Sequence, residues 1–129
     1  MILNLDFNSD IPIYTQIREE IIKAIASGEL KINESLPSVR NMAEEVGINL
    51  HTVNKSYNIL KDEGYINIDR RKGAVVNKLP LPNSEANDSK IKSILDLLVA
   101  QAYLTGMSKD DFLNYSEELF NKCEVKDFE

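Results

Sequence analysis

Residues 36 to 60, LPSVRNMAEEVGINLHTVNKSYNIL, constrain this chain most, because they encode two short helices and the corner between them. Ser38 can cap the free amides of a first helical turn, and Pro37 precedes that turn without forfeiting a needed donor. Val39, Met42, Ala43 and Val46 then fall on one side of the helix. Gly47 supplies the left-handed conformation of a tight helix exit, Ile48 fills the corner, and Asn49 caps the next helix. There Val53, Tyr57 and Leu60 recur at helical spacing and point inward, which turns Asn49, His51, Thr52, Asn54, Lys55 and Asn58 outward. That outer face is polar, short-chained and nearly free of acid. It suits a helix laid in the major groove of DNA, where Asn and Thr meet base edges and Lys meets phosphate. The stretch is predicted to be a helix-turn-helix.

The flanking residues extend the motif on both sides. Leu3, Leu5 and Phe7 alternate with Asn4, Asp6 and Asn8, which predicts a short extended arm lying on an apolar surface. Asp10 as cap and Pro12 in the first turn open a helix whose stripe is Tyr14, Ile17, Ile21, Ile22 and Ile25, and Gly28 closes it. In the connector from Glu29 to Ser35, Asn33 is expected at a position of positive φ. Beyond the second helix of the motif, Glu63-Gly64 turns the chain into a strand, Tyr65 to Ile68. A charged tip, Asp69 to Lys72, leads to a returning strand, Gly73 to Val76. A hairpin directly after a helix-turn-helix is the sequence form of a winged helix. At its tip Arg70, Arg71 and Lys72 could reach the minor groove or its phosphates.

Two prolines, Ser and Asn without periodicity make Lys78 to Asn87 a linker. A further helix is expected from Asp88 or Ser89 to Gly106, followed by a last one capped by Ser108, with Asp111 as its reciprocal partner and Met107 against Phe112 as a staple. Ile91, Ile94, Leu95 and Leu98 on the first, and Phe112, Leu119 and Phe120 on the second, are more apolar surface than two helices can cover alone. These residues are expected to pair with a second copy.

Composition sets the limits on function. The chain has 129 residues and a net charge of −6, yet ten Lys and Arg face eleven Asp and Glu through Leu79, and five face ten beyond it. The acidity therefore lies in the second half, which leaves the first compatible with DNA, though with weak, salt-sensitive non-specific affinity. No apolar run is long enough for a membrane span, and the opening MILNLDFNSD lacks the pattern of a secretory signal, so the expected location is cytoplasmic. A single cysteine, Cys123, is expected to be a buried small apolar residue of the terminal helix. One His and one Cys on separate regions supply neither a nucleophile-base pair nor a metal cluster. No enzyme activity, cofactor or metal is expected. A protein-interaction adaptor built on the same scaffold would not need a cationic wing.

Pro12-Ile13-Tyr14, Gln16-Ile17, Ile21, Ile25, Gly28, Leu30, LPSVRNMAEEVGI, Thr52-Val53, Tyr57, Leu60 and Glu63-Gly64-Tyr65-Ile66 together resemble the winged-helix domain of the GntR family of bacterial transcription regulators over residues 11 to 76. The two-helix tail resembles the YtrA-like subfamily, whose members dimerise through it and tend to control transporter operons. The resemblance implies that Arg40 of the LPS-x-R motif contacts DNA, together with Asn49, His51, Thr52 and Asn54 at the start of the recognition helix. The chain departs from the family pattern at Leu50, where Arg is usual, at Arg71, where the first of two wing glycines is usual, and at Asn33, where Gly is usual; Gly73 is retained.

The expected fold is thus mostly α with a small β-hairpin: a winged helix-turn-helix at 1–77, a linker at 78–88 and a two-helix dimerisation tail at 89–129. The expected function is a dimeric repressor on a palindromic double-stranded operator, with a transporter operon as its target. Its DNA contacts are expected at Ser38, Arg40, Asn49, His51, Thr52, Asn54, Lys55, Arg70, Arg71, Lys72 and Gly73. The tail is too small for an internal metabolite pocket, so an effector would have to bind at a dimer seam or near the linker.

Overall fold

A computed structural model describes residues 3–82 and 84–125, so Met1, Ile2, the linker's Asn83 and the last four residues of the expected tail lie outside the described residues. The chain divides into two compact units, the first running through Leu81 and the second from Pro82 to Glu124.

The first unit is built from α1 (Ile13–Ala26), α2 (Val39–Val46), α3 (Leu50–Asp62), β1 (Ile66–Asp69) and β2 (Gly73–Val76). Helices α1 and α2 both pack on α3, and β1 follows α3 directly onto the same core. Ile17, Ile21 and Ile25 of α1, Met42 and Ala43 of α2, Val53, Tyr57 and Leu60 of α3, and Ile66 and Val76 of the hairpin form one buried cluster. Each Leu, Ile or Met fully removed from water there contributes about 1.5–3 kcal/mol, so the unit carries a core of its own.

The hairpin is antiparallel, with Ile66 opposite Val76 and Asp69 opposite Gly73. A third segment joins it, which the connector's composition does not announce. Asn33 and Leu36 donate their N–H groups to Val76 and Ala74, Val76 donates back to Glu34, and Ser35 bridges Val75. Asn33 makes this possible by taking φ 68°, as expected.

Two expectations for the amino-terminal segment are corrected. The cap residue of α1 is Pro12 rather than Asp10, and it makes no side-chain cap bond. Gln16 serves the segment instead: its amide donates to the carbonyls of Asp6 and Ile11 and accepts from the Asp6 N–H. Leu3 and Leu5 do lie against the core, but Phe7 stands exposed in a turn.

The second unit consists of α4 (Ser84–Leu104) and α5 (Lys109–Asn121). Helix α4 begins at Ser84, ahead of the expected start at Asp88 or Ser89, because no proline follows Pro82 and residues 84–87 are free to coil. Asp88 is therefore not a cap and instead pairs with Lys92 one turn on, at 3.4 Å. Gly106 turns the chain at φ 89°, and the Ser108 hydroxyl accepts from the Asp111 N–H at 3.1 Å to cap α5. No residue of α5 is buried, and Ile91, Ile94, Leu95, Leu98, Leu119 and Phe120 all stand exposed, with Phe112 half-buried. Cys123 is exposed rather than buried, since the unit has no interior to receive it. No described helix is long and apolar enough to cross a membrane, and no described group of His, Cys, Asp and Glu could hold a metal ion.

Candidate nucleic-acid interface

The corner of the helix-turn-helix is fixed by short-range chemistry. The Ser38 hydroxyl accepts from the Asn41 N–H at 3.1 Å, which sets the first turn of α2 and leaves Arg40 exposed on it. Gly47 ends α2 at φ 76°, with its N–H and that of Ile48 both donating to the Ala43 carbonyl. A Cβ on Gly47 would meet nothing, so it is the backbone conformation and not space that asks for glycine. The Asn49 side chain then accepts from the His51 N–H at 2.7 Å and starts α3.

Three longer contacts hold α3 at its angle. The buried Tyr57 hydroxyl donates to the Pro37 carbonyl at 2.7 Å, tying the middle of α3 to the entrance of α2. Burial raises the Tyr57 pKa well above its ordinary value, with the Glu45 charge adding to the effect. The buried Ser56 hydroxyl donates to the Tyr14 carbonyl at 2.7 Å. At the far end Arg18 of α1 grips Glu63 through two bonds of 2.6 and 2.9 Å, and this hydrogen-bonded partner raises the Arg18 pKa.

With α3 so held, Asn49, His51, Asn54, Lys55 and Asn58 are exposed and Thr52 is half-buried. Lys55 does not extend freely: its ammonium lies 3.9 Å from the centre of the Tyr14 ring, a cation–π contact. Arg40 lines a depression at the helix-turn-helix corner together with Ala43, Glu44, Gly47, Ile48 and Leu50. Glu44 and Leu50 are therefore part of this surface, and neither was among the residues nominated from sequence. Counting i+4 from Arg40 would have found Glu44.

The wing presents Arg70, Arg71 and Lys72 at its tip, all exposed. The Asp69 carboxylate organises them from below. One of its oxygens accepts from the Arg71 N–H at 2.7 Å and the Lys72 N–H at 3.0 Å, and these two bonds hold its pKa below the usual carboxylate value. Gly73 completes the turn at φ 76°. The tip stands about 10 Å along the strand from Ile66, the residue that anchors the hairpin in the core.

Comparison with known proteins points the same way. The description "Bacterial regulatory proteins, gntR family" matches residues 13–76. Over 118 residues the chain is 29% identical to the HTH-type transcriptional repressor YtrA of Bacillus subtilis (strain 168), covering 91% of each protein. Among solved structures, YtrA from Sulfolobus acidocaldarius, a GntR-family transcription factor, is 36% identical, with a TM-score of 0.63 over 81% of this chain and 99% of that one. A transcriptional antiterminator from Listeria monocytogenes EGD-e shares the fold across 98% of both chains, with a TM-score of 0.79 at 24% identity.

Proposed function

Since the chain belongs to the GntR family of bacterial transcription regulators, in its YtrA-like subfamily, and carries the family's DNA-binding domain, we propose that it is a cytoplasmic homodimeric repressor of a palindromic operator. The observation that carries this reading is the surface of the first unit. An acid-free outer face of α3, from Asn49 to Asn58 and polar apart from Leu50, stands beside Arg40, and three cations crown the wing. In this reading α3 enters the major groove, with Ser38, Arg40, Asn49, His51, Thr52 and Asn54 at base edges and backbone. Lys55, Arg70, Arg71, Lys72 and the Gly73 turn serve the phosphates and the minor groove.

Dimerisation in this reading runs through the tail. From Ile91 onward helix α4 is largely apolar: Ile91, Ile94, Leu95, Leu98, Ala102 and Tyr103 form one face, and Leu97, Val99 and Leu104 widen it. A helix of that kind is stable in water only when enclosed, and a second copy of the same tail is the partner always present. The alignment to the Bacillus subtilis repressor spans 118 residues, well beyond the length of the winged unit, which supports repression as the mode of action. The subfamily resemblance implies transporter genes as targets. In this reading an effector would bind at the seam between two tails, near the open depression lined by Lys92, Ser93, Leu95, Asp96 and Val99.

The test is selection of bound duplexes from fragmented genomic DNA by the full-length protein. The expected product is a two-fold symmetric site with half-sites about one helical turn apart. Recovery of fragments without any shared sequence would contradict the reading.

A further inference from the structure

Among the described residues of the first unit, four large apolar side chains stand exposed: Phe7, Ile11, Leu50 and Ile68. Leu50 alone lies on α3, as its first residue, directly after the Asn49 cap, and is 43% exposed. Its apolar neighbours Val46 and Ile48 pack against the core while Leu50 does not, so it is not left outside for lack of a core nearby. Around it are the exposed polar residues Asn49 and His51, and it shares a depression with Arg40.

Resting on the DNA-binding reading above, we infer that Leu50 determines specificity by packing on the C5-methyl group of a thymine in each half-site. The first residues of the second helix of a helix-turn-helix are those that meet base edges. Apart from the small C5–H of cytosine, the other groups on the major-groove edge of a base pair are hydrogen-bond donors or acceptors, and the thymine methyl is the one large apolar feature. Leu50 has no donor or acceptor to offer, so apposing it to a polar edge would strand that edge without a partner. Against a methyl group it excludes water from two apolar surfaces at once. Contact with deoxyribose would be equally apolar but blind to sequence, and that difference is measurable.

The experiment selects sites for the full-length protein from random-sequence duplexes. Each thymine of the recovered site is then replaced singly by deoxyuridine, which removes the methyl group and keeps the pairing. Fluorescence anisotropy with wild-type protein should show an affinity loss of about threefold to fivefold at one thymine of a half-site. Leu50→Ala should bind the thymine site more weakly than wild type does and should not distinguish thymine from uracil at that position. If every thymine tolerates the change, or if Leu50→Ala keeps the same sensitivity to it, the inference is overturned and Leu50 lies on sugar or in solvent. If the pool yields no shared sequence, sequence-specific recognition itself falls, and the inference with it.

Discussion

Leu60 of α3 and Leu95 of α4 are the same side chain in the same secondary structure, yet Leu60 is fully buried and Leu95 is 44% exposed. The first unit closes its core within one chain because three helices and a hairpin converge on it. The second has two helices whose described apolar residues stand mostly exposed. An interior can be made in two places: the winged unit encloses most of its apolar residues alone, and the tail, in the function proposed above, encloses its own between chains. Stability of the first should be independent of protein concentration, and that of the second should depend on it.

The comparison is broken most severely by charging the tail. Leu95→Asp with Leu98→Asp should yield a monomer whose winged unit stays folded, as read by amide-exchange protection in α1 and α3. Its operator affinity should fall by about a hundredfold or more, because two coupled half-site contacts become independent. Full affinity in a monomeric variant would show that the tail serves some other end.

A cut inside the winged unit should behave differently. Leu60→Ala removes a side chain with no exposure at all, and should lower unfolding free energy by about 2–5 kcal/mol, equally at every protein concentration. Chemical denaturation at two concentrations separates this from a tail effect.

Within the same unit the two proposed sets of DNA contacts should part company. Arg40→Ala should weaken the operator by about 1–3 kcal/mol if it reaches a base edge. Neutralising one of Arg70, Arg71 or Lys72 should weaken all sequences alike and flatten the salt dependence by about one unit. Titrations over a salt series distinguish the two.

A smaller effect tests how α3 is anchored. Tyr57→Phe deletes the bond to the Pro37 carbonyl and should cost about 0.5–1.5 kcal/mol. The folded pKa of Tyr57 lies above the ordinary 10.0. The stability tied to its neutral hydroxyl is therefore fully present below pH 10 and is lost as pH rises beyond it, since the unfolded chain ionises first. Alkaline denaturation of wild type should show that loss, and Tyr57→Phe should lack it.

What was legible in the sequence was the chemistry that acts over a few residues. Ser38, Gly47, Asn49 and Ser108 do what their types do at helix ends, and Asn33 accepts the left-handed turn. Asp10 misleads because a carboxylate two residues before a proline resembles a cap, whereas the helix starts from Pro12, whose carbonyl accepts from the Thr15 and Gln16 N–H groups of the first turn. The contacts that were not legible are long-range. Arg18 meets Glu63 across 45 residues and Ser56 meets Tyr14 across 42, and neither spacing leaves a periodic trace. The same holds for Ser35 against Val75, where the connector's own residues carry no strand pattern. On the proposed DNA face, the outward residues of α3 follow from periodicity, but Leu50 stands out in the sequence only as a departure from the family pattern. Its exposure beside Arg40 depends on how the corner packs.

Sedimentation equilibrium of the full chain, from sub-micromolar to tens of micromolar, tests most directly whether the tail makes its interior between copies. The account predicts a reversible dimer of twice the 14.6 kDa chain mass, abolished by Leu95→Asp with Leu98→Asp. A single species at 14.6 kDa across the whole range would contradict it.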